Sequence, residues 1–182
     1  MKDLSLHILD IVQNSISAGA QNIGIVINED KLKNEFDITI SDDGLGMGED
    51  ELTKVTDPYF TSRTTRKVGL GIPLFKQNAE RSGGRFAITS EKGKGTTVNA
   101  VFGYDNLDRP ILGDITGVVV ILVTANPELD FAYQHTTEKG TYIFDTKKIK
   151  LILEDTPINH PQVGKLLKEM LKENLKDIEA ET

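Results

Sequence analysis

Residues 66–84 read RKVGLGIPLFKQNAERSGG. Basic side chains lead into Gly69-Leu70-Gly71, a helical pattern follows, and Gly83-Gly84 stops it. The chain contains no G-x-x-x-x-G-K-[ST], so this is not a P-loop of the usual kind. A helix that opens on glycines still presents free backbone N–H groups and the positive end of its dipole, and both favour an anion. Arg63, Arg66 and Lys67 lie just upstream and could close over phosphates. The stretch KVTDPYFTSRTTRKV, residues 54–68, is polar, basic and poorly periodic, which reads as a mobile loop.

Two more stretches belong with it. LDIVQNSISAGA, residues 9–20, sits on a first helix that begins after Asp3, a candidate N-cap. At about 100° per residue, Leu4, Ile8, Leu9, Ile11, Val12 and Ile16 fall on one face, and His7, Asp10, Asn14 and Ser17 on the other. Asp10 and Asn14 are then one turn apart. An amide oxygen is a hard ligand suited to Mg²⁺, and a carboxylate one turn away could orient or deprotonate a water. SDDGLGM, residues 41–47, ends a strand with Asp42 and a glycine-rich loop. A carboxylate there can accept from an exocyclic amine, and Gly44 and Gly46 allow a flat ring to approach the backbone. Taken singly, each feature has an ordinary structural explanation: a solvated polar helix face, a turn, a cap. Their order and spacing carry the reading.

Around them, NIGIVIN and FDITIS alternate as strands joined by EDKLKN, and GRFAITSE and GTTVNAVFGY as strands joined by KGKG. A boundary falls near YDNLDRP, after residue 103. Beyond it, DITGVVVILVTANP is ambiguous. Its β-branched residues favour a strand, while its length and Asp114 as a cap favour a buried helix, the preferred reading. LDFAYQHTTEKGTYIFDT reads as a hairpin turning at Lys139-Gly140. HPQVGKLLKEMLKENL reads as an amphipathic helix whose stripe of Val163, Leu166, Leu167, Met170 and Leu171 is expected to pack on that hairpin, with a partner helix as the alternative. The expected fold is α+β: a two-layer sandwich, a mixed sheet with helices on one face, over residues 1–103. A small α/β C-terminal region, 104–182, carries no constellation of acid, base and anion donors.

Composition narrows the function. The 182 residues carry a net charge of -7, which lacks the cationic surplus that binding duplex nucleic acid requires. Cysteine is absent, so disulfides, thiolate zinc sites and cysteine nucleophiles are excluded. The three histidines are scattered and suggest no metal cluster. MKDLSLHILD is charged too early for a signal peptide, and the apolar run around Val118–Val123 is too short to span a bilayer. The expectation is a soluble, cytoplasmic protein without nucleic-acid or membrane partners.

In combination these residues resemble the ATP-binding domain shared by DNA gyrase, heat-shock chaperones of the ninety-kilodalton class, sensor histidine kinases and mismatch-repair ATPases, the GHKL or Bergerat-fold superfamily. DIVQNSISAGA is similar to its N box, nearest the mismatch-repair form. DDGLGM resembles the first glycine box. DPYFTSRTTRKVGLGIPLFKQNAERSGGRFAITSEKGKGTTV resembles the histidine-kinase stretch from the F box to the G-x-G-T strand. The match covers about residues 4–103. It implies ATP and Mg²⁺ as ligands, with Asn14 on the metal and Asp42 on the adenine amine, aided by Thr96 or Thr97. Ala18, Gly44, Gly46 and Met47 would line the base pocket. Gly69, Leu70, Gly71 and Ile72 would serve the phosphates under a lid containing Arg63, Arg66 and Lys67. Asp10 stands where the family carries a catalytic Glu, one methylene longer, and Ser17 where mismatch-repair members carry Asp. The resemblance implies a regulatory kinase, histidine-kinase-like or anti-sigma-type, acting on a partner or phosphoacceptor protein. An ATP-driven switch or slow ATPase, or a nucleotide sensor without turnover, are the other readings. Oligomeric state is left open, with a homodimer among the options.

Overall fold

The computed structural model describes residues 3–55 and 71–182. Of the expected loop at 54–68, residues 56–68 lie outside them. The first helix, α1 (Leu4–Ser17), is followed by β1 (Asn22–Asp30), β2 (Glu35–Asp42) and the short α2 (Glu49–Leu52). Next come α3 (Gly71–Arg81), β3 (Arg85–Glu91) and β4 (Gly95–Gly103). The chain closes with α4 (Ile115–Ala125), β5 (Asp130–Thr137), β6 (Gly140–Asp145), α5 (Thr146–Leu153) and α6 (Pro161–Asp177).

Six strands form one sheet in the order β3-β4-β2-β1-β5-β6. Five neighbouring pairs result, of which only β1 with β5 is parallel, so the sheet is mixed. Alternation puts Ile23, Ile25 and Ile27 of β1 and Phe36, Ile38 and Ile40 of β2 on one buried face. The opposite face is polar: Asn99 Nδ2 donates to Asp37 Oδ1 and Thr39 Oγ1, each at 2.8 Å. Helices cover the apolar face, with α1 packed on α3 and on α4, and α4 on α6. This is the expected α+β sandwich with helices on one face. The elements after residue 104 are α/β, as expected, and they extend the same sheet and core.

Local chemistry explains the elements and adjusts several expectations. The ambiguous apolar run is helical: Asp114 Oδ1 accepts from the Gly117 N–H at 2.8 Å, and burial of Val118, Val119, Leu122 and Val123 offsets poor intrinsic propensity. In α6 the buried stripe is Val163, Leu167, Leu171 and Leu175, while Leu166 is 62% exposed. The expected stripe was displaced, and α6 lies against α4 more than against the β5–β6 hairpin. Helix α5 was not foreseen. Its start is marked by Asp145, whose Oδ1 accepts from the Lys147 N–H at 2.9 Å. Asp3 occupies the N-cap position of α1, but its side chain makes no cap bond. The Leu4 and Ser5 N–H groups donate instead to the Ile111 and Leu112 carbonyls, at 2.9 and 2.8 Å. His7, expected on the polar face, is fully buried against Phe75 of α3, with ring centroids 5.5 Å apart.

Candidate functional site

The site begins where β2 ends. Asp42 lies on the helix-facing side of the sheet, in phase with Phe36, Ile38 and Ile40. Its Oδ1 accepts from the Gly44 N–H at 2.9 Å, and its Oδ2 from the Ser15 hydroxyl of α1 at 2.6 Å. The carboxylate is thus fixed from two sides while keeping lone pairs for a further donor. Ser15 was not singled out in the sequence, because a serine on a helix has no distinguishing period. Its place one residue after Asn14 was the available signal.

Cross-strand register chooses between the two threonines. Asp42 pairs with Thr96, and Ser41 with Thr97. Thr96 therefore shares the face of Asp42, and Thr97 points to the opposite face. Ser90 of β3 completes this corner. Its Oγ accepts from the Met47 N–H at 2.7 Å, bonds the Gly95 carbonyl at 2.9 Å and meets Thr96 Oγ1 at 2.9 Å.

The glycine-rich loop and the β3–β4 turn require one another. Gly46 has φ +63°, and a Cβ there would run into the Glu91 carbonyl. Gly95 has φ +99°, and a Cβ there would run into the Asp42 carbonyl. The Gly93 N–H donates to the Leu45 carbonyl at 2.7 Å. Gly44 packs on Ala18, which lies about 3 Å from the position of a Cβ, and the Ala18 carbonyl accepts from the Leu45 N–H at 2.9 Å. These glycines thus have reasons within the chain to lack a side chain. Asp43 has a separate task. Its Oδ1 accepts from the Asn22 and Gln21 N–H groups, at 2.9 and 2.8 Å, and its Oδ2 from Asn22 Nδ2 at 2.6 Å. The Asn22 bonds hold its carboxyl below the usual range.

The third wall is the junction of α1 with α3. Asp10 and Asn14 are half-buried and one turn apart. Gly71 opens α3 against Asp10, so closely that a Cβ on Gly71 would meet the Asp10 carboxylate. Ile72 is 8% exposed, and its side chain belongs to the core. Pro73 falls in the first turn, where a missing N–H removes no intrahelical bond. The tie between the helices is continued by His7, whose Nε2 lies 2.9 Å from Asn78 Nδ2. Burial pushes the His7 imidazole down to about 4, so at neutral pH Nε2 accepts from the amide. Among the predicted residues, Asp10, Asn14, Asp42, Gly44, Thr96 and Gly71 are brought to this corner. Arg63, Arg66, Lys67, Gly69 and Leu70 lie outside the described residues. Among the described residues, no helix is long and apolar enough to cross a membrane.

The family model for histidine kinase-, DNA gyrase B-, and HSP90-like ATPases matches residues 2–105. The sensor protein DegM of Bacillus sp. (strain B21-2) is 31% identical over 91 residues, which are 50% of this chain and 24% of the relative. The sensor histidine kinase ZraS of Escherichia coli (strain K12) is 30% identical over 94 residues, 52% of this chain and 20% of the relative. The chain thus spans about a quarter or less of these relatives. Among solved structures, the Aquifex aeolicus MutL ATPase domain complexed with ADP aligns at a TM-score of 0.51 and 14% identity. That alignment covers 85% of this chain and 70% of the MutL chain, a likeness of fold. With the family model spanning more than half of its length, the chain belongs to the histidine kinase-, DNA gyrase B-, and HSP90-like ATPase family.

Proposed function

We propose that the chain binds Mg-ATP at the corner of α1, the β2 end and the α3 start, and acts as a regulatory kinase on a partner protein. The observation that carries the nucleotide reading is Asp42. It is buttressed by Ser15 and the Gly44 N–H, with Thr96 across the ladder, and it retains acceptor capacity for an adenine amine. The donor set also suits a magnesium–phosphate group. Asn14 offers an amide oxygen, Asp10 a carboxylate one turn away, and α3 the N–H groups of its first turn, which have no partner within the helix. Bound Mg²⁺ would neutralise and orient phosphate oxygens. Ala18 and Met47 would border the base, and Gly69 to Ile72, with Arg63, Arg66 and Lys67, the phosphates. Resemblance to sensor histidine kinases favours phosphoryl transfer, with the acceptor on another protein or a second copy.

Titration calorimetry with ATP and ADP, in Mg²⁺ and in EDTA, tests the pocket. Wild type should bind both, and Asn14→Ala should abolish the Mg²⁺-dependent part. A wild type that binds neither nucleotide overturns the reading. Incubation with labelled ATP, followed by mass spectrometry of retained proteins, tests the kinase assignment. A second reading, an ATP-driven switch or slow ATPase, is favoured by the Asp10 carboxylate against Gly71. Either activity is compatible with a cytoplasmic regulator.

A further inference from the structure

The far end of the chain is tied to the helix that carries Asp10 and Asn14. The first two N–H groups of α1 lack their own cap and donate to the Ile111 and Leu112 carbonyls. The Leu112 N–H donates to Glu181 Oε1 at 2.8 Å, and Leu112 itself is fully buried. Arg109 grips the same carboxylate in a fork, Nη1 to Oε1 at 3.1 Å and Nη2 to Oε2 at 2.8 Å. Its guanidinium lies over the Phe36 and Tyr104 rings, 4.8 and 5.2 Å from their centroids, and its Nε donates to the Tyr104 carbonyl at 2.9 Å. Side-chain exposure is 11% for Arg109 and 23% for Glu181, so the pair is largely shielded from water.

The segment before Glu181 is anchored separately. The Glu181 N–H donates to Glu29 Oε1 at 2.7 Å. Glu29 is 3% exposed and also takes His135 Nε2 at 2.8 Å and the Tyr104 hydroxyl at 3.3 Å. An ionised carboxylate only accepts, so His135 Nε2 carries a proton; in the neutral tautomer Nδ1 then accepts from the Tyr133 hydroxyl at 2.7 Å. Every group of this buried cluster has a partner, which fixes the backbone of residue 181 against β1. On the other side Gly113 lies so near α1 that a Cβ would crowd Asp3 and the Ser5 hydroxyl. The linker therefore touches the start of α1 through two hydrogen bonds and through Gly113. A helix transmits a shift of its first turn along its axis, and Asp10 stands six residues, about 9 Å, from Leu4.

We propose that Glu181 is a positioning residue for the nucleotide site, acting through Leu112 and the first turn of α1. Its carboxylate, oriented by Arg109, holds the Leu112 amide. The linker carbonyls then hold α1, and α1 sets where Asp10, Asn14 and Ser15 stand relative to Asp42 and Gly71. The proposal rests on the nucleotide reading above.

The test uses the full chain with Glu181→Ala, Glu181→Gln and, as a control, Phe144→Leu, a core change in β6 that removes none of the hydrogen bonds named above. Amide exchange at Leu4 and Ser5 reads the grip on α1 without nucleotide, and calorimetry reads ADP binding. Glu181→Ala should raise exchange at both amides about tenfold and weaken ADP about three- to tenfold. Glu181→Gln, which keeps an acceptor for Leu112 but loses the charge pair, should fall between Ala and wild type, and it serves if Ala does not fold. Phe144→Leu should lower the urea midpoint and leave the ADP Kd unchanged. Unchanged exchange in both Glu181 variants overturns the grip. Faster exchange with an unchanged ADP Kd overturns the coupling, as does an equal loss of ADP affinity in Phe144→Leu. Failure of wild type to bind ADP overturns the nucleotide reading and the site half of this proposal, while exchange still decides whether the tail holds α1.

Discussion

Ser15 Oγ donates to Asp42 Oδ2 across 2.6 Å, joining the second half of α1 to the end of β2. Asp42→Ala should weaken ATP and ADP by about 1.5–3 kcal/mol, since a hydrogen bond to a charged acceptor is lost. Ser15→Ala removes the buttress but leaves the Gly44 N–H in place, so a smaller loss of about 1 kcal/mol is expected. GTP should bind more weakly than ATP, because guanine presents a carbonyl where adenine presents an amine. Calorimetry on the two variants checks the ranking; an Asp42→Ala chain that binds like wild type removes Asp42 from the pocket.

The contact of Gly71 with Asp10 yields a prediction about stability. Ala is favoured over Gly in a helix by up to about 1 kcal/mol. At Gly71 the new methyl would meet the Asp10 carboxylate, which must rotate away. Gly71→Ala should therefore be near neutral in wild type and stabilising in an Asp10→Ala background. Urea midpoints of the four chains form a double-mutant cycle. Equal effects of Gly71→Ala in both backgrounds would show that the two residues do not touch.

His7 predicts an acid-sensitive junction. Burial depresses its imidazole from 6.5 to about 4, so the unfolded chain takes up a proton more readily than the folded one. The resulting stability is fully present above pH 6.5 and is lost as pH falls from 6.5 toward 4, about 3 kcal/mol over that window. His7→Gln should flatten this part of the urea midpoint against pH profile relative to wild type. A profile unchanged by the substitution would assign the acid sensitivity elsewhere.

Much of this molecule was legible in the residues, and the failures have physical causes. Periodicity found α1, α3, α6 and the six strands because each buries one face. The run at 115–125 was ambiguous because it is apolar on nearly every side, so neither period stands out. Helix α5 was missed because it buries only Thr146 fully and leaves Leu151 and Ile152 80% exposed. The capping of α1 by residues 111 and 112 was beyond reach, since any residue supplies a carbonyl. In the candidate site, spacing singled out Asp10, Asn14, Asp42 and the glycines. It could not choose between Thr96 and Thr97, which needs strand register, nor find Ser15 and Ser90, whose work depends on partners far along the chain.

The last prediction separates hydrolysis from binding. Asp10 and Asn14 stand one turn apart on α1, so both can approach one water and one metal. An ionised carboxylate is a competent base only when the water lies within hydrogen-bond reach and in line with the γ-phosphate. The Asp side chain is one methylene shorter than the Glu of related ATPases, and slow turnover is the expectation. Asn14→Ala should lose Mg²⁺-dependent binding and every activity that follows from it. Asp10→Asn keeps the shape and removes the base, so binding should persist while hydrolysis falls by about 10²–10⁴-fold. Phosphate release under saturating ATP measures the difference. Equal rates in Asp10→Asn and wild type would take the base role from Asp10, leaving the carboxylate to position α3 through Gly71 and favouring transfer to a nucleophile on another protein.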